Sequence, residues 1–280
     1  MSISRGISRR WKSVQLYQRH AWRFRDKLAF VILGIARCGD FSSGGFISRF
    51  AKPLLPLLRL RPKNLNGYAV LVDAADPSHI DIFDEIVLDG VYDFSSIPFE
   101  PDCIVDCGGH IGIFSVCAAA RYPSIPIHIY EPSPANTRIL EQTMRAVESP
   151  VFIHQEAVSD HAGEATFYLA NSCGGSLVSA VASGRTSILV KVIDFVAALS
   201  RLNSERLLLK MDIEGEEEQL VPLLLPILPA HCAIFFETHS GDVGWSALFK
   251  EMTDCGFRVS LIRDRGKYKD AFAIRTRVLD

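Results

Sequence analysis

From about residue 97 onward, short apolar runs alternate with stretches of helical periodicity. "CIVDC" (103–107) reads as a buried strand, "GIFSVCAAAR" as a helix and "PIHIYE" as a second strand. "PANTRILEQTMRAV" reads as a helix with Ser133 as its cap and Pro134 at its first position. "VFIHQ" is a third strand, and "EATFYLA" an extra one after the turn at "DHAGE". The alternation continues through "SILVKVI", helix "DFVAALS", strand "RLLLKMD", helix "EEEQLVPLLLPIL" and strand "CAIFFETH". Helix "WSALFKEMTDC", stopped by Gly256, precedes the closing strands "FRVSLIR" and "DAFAIRTR". Strands that are apolar throughout and separated by helices predict an α/β fold with a mostly parallel sheet covered on both faces. One stretch interrupts the order: 171–184, rich in Gly and Ser and without periodicity, is either a substrate loop or a surface excursion.

Charge divides the chain. Through Lys63 there are fourteen basic residues against only Asp26 and Asp40, whereas the remainder holds sixteen basic and thirty acidic ones. The expected division is a basic, partly helical N-terminal extension over 1–80 and a main domain over 81–280. The extension's apolar run, Leu28–Ala36, is nine residues long, about half of what a helix needs to cross a bilayer. It fits either a solvated extension packed on the main domain or a segment in peripheral contact with an anionic membrane. The charged stretch is too long for a signal peptide, and no small-residue cleavage site follows the apolar run, while its Arg-rich, acid-poor make-up is compatible with a transit peptide. Seven cysteines without a C-x-x-C pair, mostly in apolar runs, suit buried free thiols in a reducing compartment and a cytoplasmic location.

The candidate site follows from where the acids and glycines fall. In an open parallel sheet, ligands sit beyond the carboxyl ends of the strands. Asp106, Gly108 and Gly112 fall at that edge of the first strand. Gly108 permits the sharp turn, Gly109 keeps bulk from a ligand, and Gly112 starts the next helix close to the sheet. An acid beside this turn repels a pyrophosphate but can hydrogen-bond, directly or through water, to a cation such as an amino-acid ammonium. Glu131, at the end of the second strand and followed by Pro132, is placed to accept both hydroxyls of a ribose, and Glu156 with Ala157 follows the third strand, where an adenine edge would lie. A nucleoside joined to an amino acid describes S-adenosylmethionine. The spacing D-x-G-x-x-x-G, with His110 inside it, is not the G-x-G-x-x-G fingerprint, and no P-loop is present.

These residues carry a resemblance. "IVDCGGHIGIFS", "IYEPSPANTRIL", "EAVSDHAGEATFY", "LLLKMDIEGEEEQL" and "IFFETH" resemble the successive motifs of the FkbM family of S-adenosylmethionine-dependent methyltransferases, from about Asp81 to the C-terminus. The resemblance implies the class I methyltransferase (Rossmann-like) fold, a seven-stranded sheet with its last strand antiparallel, and O-methylation of a sugar or other small-molecule hydroxyl. Gly109 and His110 stand where the family more often has alanine and asparagine, and His110 would alter contacts at the methionine end of the cofactor. Candidate bases for the hydroxyl proton are Asp212 and Glu214, after the fourth core strand, and Glu237 and His239, after the fifth. Asp212 is also a cofactor-contact candidate, its bland alternative being a cap for the turn at Gly215, and His239 is the most attractive base near neutral pH. Glu216, Glu217 and Glu218 fit the helix N-terminus better than catalysis. Asp212, Glu214 and Glu237 could hold a divalent metal in principle, but no metal is predicted.

Two other classes share much of this pattern. A nicotinamide-dependent oxidoreductase would use the same sheet and ribose acid but not Asp106 beside the phosphates, and a noncatalytic methyltransferase-like binding protein would have no need of the acids. A nucleic-acid acceptor is not expected, because the main domain is acidic and no Asn-Pro-Pro-aromatic motif for flipped bases occurs.

Overall fold

The computed structural model describes residues 59–60, 68, 70–73, 76–169, 177, 186–239 and 241–276. Most of the basic N-terminal extension and most of 171–184 therefore lie outside the described residues. A seven-stranded sheet is built from β1 (Cys103–Cys107), β2 (Ile127–Tyr130), β3 (Val151–His154), β7 (Arg206–Met211), β8 (His231–Thr238), β9 (Arg258–Arg265) and β10 (Tyr268–Arg275). Its order is β9-β10-β8-β7-β1-β2-β3. Every pairing is parallel except those of β10, which runs antiparallel to β8 and β9. This is the sheet expected from the sequence: the seven-stranded arrangement of the class I methyltransferase fold.

Apolar residues on both faces of each strand make the covering helices obligatory. Along β1, Ile104 faces one core, while Cys103, Val105 and Cys107 face the other. Along β7 and β8 the same period of two sends Leu208, Ala233 and Phe235 to the first core and Leu207, Leu209, Ile234 and Phe236 to the second. The first face is covered by α1 (Pro77–Phe83), α2 (Ile113–Arg121) and α3 (Pro134–Met144), through Phe83, Phe114, Leu140 and Met144. On the other face lie α4 (Phe195–Ser200), α5 (Glu217–Leu224) and α6 (Gly241–Asp254), contributing Phe195, Leu220, Leu224, Leu248 and Met252.

Side-chain caps start the helices α3 and α4. Ser133 caps α3 by accepting from Asn136 N, with Pro134 in the first turn. Asp194 caps α4 by accepting from Ala197 N at 3.0 Å. The extra strand is real but belongs elsewhere: β5 (Gly163–Tyr168) pairs antiparallel with β6 (Ser187–Asp194), which pairs parallel with β4 (Ala157–Ser159), giving a separate three-stranded sheet. Helix α1, not anticipated from the pattern, runs into a π-helical turn over Asp84–Leu88. It also crosses the 80/81 boundary, and Val70 and Val72 sit in the first core, so the packed unit begins before residue 81. Cys103, Cys107, Cys117 and Cys232 are buried free thiols, and Cys255 is exposed. Among the described residues no helix is long and apolar enough to cross a membrane.

Candidate functional site

A cavity of about 250 Å³ opens beyond the carboxyl ends of β1, β2, β3 and β7. Its wall takes Gly108, Gly109 and His110 from the β1–α2 turn, Glu131 and Pro132 after β2, Glu156 and Ala157 after β3, and Lys210, Asp212 and Glu214 from the end of β7. Asp76 and Ser78 close one side, and Leu177 reaches the cavity from the stretch that interrupts the α/β order. Asp106, Gly112, Glu237 and His239 do not line it.

The β1–α2 turn needs its glycines for packing. Gly108 has φ +80°, and a Cβ there would fall 1.9 Å from the carbonyl oxygen of Asp212. The turn thus lies directly on the end of β7, where any side chain would collide with backbone. A Cβ at Gly109 would meet Ile129 Cγ2 at 2.2 Å, so this glycine, which also lines the cavity, is required by packing against β2. Gly112, at φ +88°, brings α2 against Leu140 of α3, a helix–helix approach in place of the expected helix–sheet one.

Glu131 is buried and anchored. Its Oε2 accepts from His110 N at 2.9 Å, and its Oε1 accepts from Ser133 N at 2.8 Å and Asn136 Nδ2 at 3.3 Å. Burial raises its carboxyl, and these bonds oppose the rise. With two bonds on Oε1 and one on Oε2, acceptor capacity remains on Oε2. Glu156 is held by an ion pair with Lys191.

Asp106 is placed differently from the expectation. It is fully buried, accepts from Ser115 Oγ at 2.7 Å and lies 3.4 Å from Lys210 Nζ. A side chain enclosed by the base of α2 cannot reach a ligand directly. Its partner, Lys210, was not singled out in the sequence, although a lysine inside the apolar run "LLLKM" is itself a signal, because lysine is almost never buried unless paired. Lys210 Nζ donates to Gly108 O at 2.7 Å and Cys107 O at 3.3 Å, and stands 3.8 Å from Asp212 Oδ2. Burial acts to lower its pKa, but Asp106 and Asp212 raise it above the ordinary lysine value. One ammonium therefore joins the glycine turn of β1 to the acid at the end of β7.

The turn after β7 is organised by Glu217. Fully buried, it accepts from Ile213 N at 2.6 Å and Gly215 N at 2.8 Å. This is the capping role weighed for Asp212, whose carboxylate instead lines the cavity. Glu214 adopts φ +61°, and burial raises its carboxyl. His239 lies between Glu217 Oε2 (3.2 Å from Nδ1) and Glu214 Oε2 (3.3 Å from Nε2). Burial alone would lower its pKa, but the two carboxylates carry it up to about 11. It is therefore an imidazolium with both N–H groups engaged, which removes the lone pair needed for the base role expected of it. Glu237 sits apart with Glu85 and Asp270, where Arg265 contacts it at 2.7 Å and Arg263 bridges Asp270 and Glu85. Burial, reinforced by Asp212 and Asp270, pushes its carboxyl up to about 9. Asp212, Glu217 and His239 also bring ligand-type atoms within 4.8 Å of one another, and His239 there lies against the carboxylates of Glu217 and Glu214. Of the four expected bases, Asp212 and Glu214 reach the cavity.

Sheet order and cavity position together define a protein of the class I methyltransferase fold. No family model matches the chain. Over 63 residues it is 36% identical to "Methyltransferase sdnD" of Sordaria araneosa and, equally, to "Methyltransferase 1" of Beauveria bassiana, in each case over 22% of this chain. The match spans about a quarter of the length of these relatives (24% and 25%). Among solved structures, "TYW2 in complex with AdoMet" of M. jannaschii aligns over 78% of this chain and 84% of its own, with TM-score 0.43 and 10% identity.

Proposed function

We propose that this chain is an S-adenosylmethionine-dependent methyltransferase of the FkbM kind that methylates a hydroxyl of a carbohydrate, glycoconjugate or related small molecule. The observation that carries the reading is the charge of the cavity wall. Among the described residues that line it, Asp76, Glu131, Glu156, Asp212 and Glu214 are the acids and Lys210 the one lysine or arginine. Such a wall suits a donor with a sulfonium and an ammonium and disfavours a dinucleotide pyrophosphate. The fit extends to shape, since Oε2 of Glu131 keeps free acceptor capacity at the end of β2, where a ribose would lie, and Gly108 leaves the turn without side-chain bulk.

When bound, the cofactor supplies an electrophilic methyl group. The protein's part is to hold the acceptor oxygen in line with that carbon and to take its proton. Asp212 is the residue assigned to the proton: it lines the cavity, and Lys210 at 3.8 Å keeps its carboxylate oriented. Glu214, tied to His239, shapes the acceptor side. Incubating the protein with methyl-labelled cofactor and a panel of glycans, followed by mass spectrometry, tests the reading. Gain of one methyl on a hydroxyl supports it, whereas cofactor binding with transfer only to nitrogen, carbon or RNA acceptors rejects the hydroxyl assignment.

A further inference from the structure

His110 stands half-buried in the cavity wall, and its Nδ1, the enclosed ring nitrogen, finds no hydrogen-bond partner among the described residues. A buried polar atom without a partner is costly, and in a cavity wall it marks where a ligand group belongs. The other ring nitrogen is committed. Ser78 Oγ donates to Asp76 Oδ1 at 2.7 Å, and the same Oγ lies 3.2 Å from His110 Nε2. With the serine proton directed to the carboxylate, the oxygen presents a lone pair, so Nε2 must carry the hydrogen. Nδ1 is then a bare acceptor. Burial, with His79 edge-on at 5.1 Å, lowers the pKa of the ring to about 3, so it stays neutral.

Position decides which ligand group this nitrogen meets. His110 N donates to Glu131 Oε2, the carboxylate proposed to hold the ribose, so the ring stands next to the cofactor. Asp106, expected from sequence to serve the amino-acid ammonium, is turned inward on Ser115 and Lys210. Asp76 and Asp212, which also line the cavity, supply negative charge around the ring without occupying Nδ1.

Resting on the methyltransferase reading, we propose that His110 Nδ1 accepts a hydrogen bond from the α-ammonium of the methyl donor, and that Asp76 and Ser78 are positioning residues that decide which ring nitrogen is bare. Calorimetry with two ligands tests this: S-adenosylhomocysteine, and 5′-methylthioadenosine, which shares the nucleoside and sulfur but lacks the amino acid. Losing a hydrogen bond to a charged group corresponds to about a tenfold to hundredfold loss of affinity. His110→Phe is expected to weaken S-adenosylhomocysteine by that factor and leave methylthioadenosine within about twofold. Ser78→Ala keeps the ring but releases its tautomer, and is expected to show the same selective loss at smaller size; it decides the matter if His110→Phe does not fold. Equal weakening of both ligands, or unchanged S-adenosylhomocysteine affinity with only turnover reduced, overturns the assignment. If the unaltered protein binds neither ligand, the methyltransferase reading itself fails.

Discussion

Replacing Lys210 by methionine isolates the ion pair that joins β1 to β7. Methionine preserves much of the side-chain length and the apolar contacts of the strand but deletes the ammonium. Asp106, with no exposed surface, would be left with the Ser115 hydroxyl, and the carbonyls of Gly108 and Cys107 would each lose a donor. Breaking a buried pair by removing one partner costs about 3–5 kcal/mol, because the remaining charge cannot be hydrated. Against a typical stability of about 5–15 kcal/mol, that is a large fraction. Urea unfolding followed by circular dichroism measures it. The expected result is a loss of that size for Lys210→Met, with a substantial part recovered in Lys210→Met/Asp106→Asn, since the double variant no longer buries a lone carboxylate. A single-variant loss under about 1 kcal/mol, within the range of a surface ion pair, would refute the buried-pair reasoning. So would a double variant as unstable as the sum of its parts.

Further outcomes follow from the same geometry. His239 has a folded pKa of about 11 against an ordinary value of 6.5, so its stabilisation is fully present below about pH 6.5 and is lost as pH rises toward 11. Denaturation midpoints should fall between pH 7 and 10 in the unaltered protein, and a His239→Gln series with the same slope would exclude this histidine as the source. Gly108→Ala places a Cβ 1.9 Å from Asp212 O at φ +80° and should abolish S-adenosylhomocysteine binding, so calorimetry giving native affinity would contradict the close approach of the turn to β7. Asp212→Asn should reduce turnover by about 10²–10⁴-fold, the usual worth of a positioned base, with S-adenosylhomocysteine affinity reduced far less. Full activity in that variant would remove Asp212 from proton transfer.

Legibility differed between the frame and the site. The strands from Cys103 to Arg275 and the capped helix after Ser133 were readable because their signals are local: a period of two, a period near 3.6, and a side-chain oxygen over a helix N-terminus. Glu131, Gly108 and Asp212 could be placed at strand ends for the same reason. Helix α1 was missed although Asp76, which accepts from Ser78 N at 2.9 Å, and Pro77 mark its start, because its seven residues are too few for a clear helical period; the pairing of β4, β5 and β6 was missed because register between distant segments leaves no local trace.

The order of elements and the two-sided burial of the sheet follow from the chain itself, since alternation of apolar positions and turn residues acts over a few neighbours. Which way each polar group at the sheet edge faces does not, because that depends on what other strands bring beside it. Asp106 and Lys210 lie on adjacent strands in register and neutralise each other, His239 is caught between Glu214 and Glu217, and Glu237 is drawn to Arg265. Electrostatic partnership over a few ångströms is set by packing between segments from 22 residues apart, for Glu217 and His239, to about a hundred, for the turn of β1 and Lys210, so tertiary structure alone decided which of the acids line the cavity and which are consumed in holding it together.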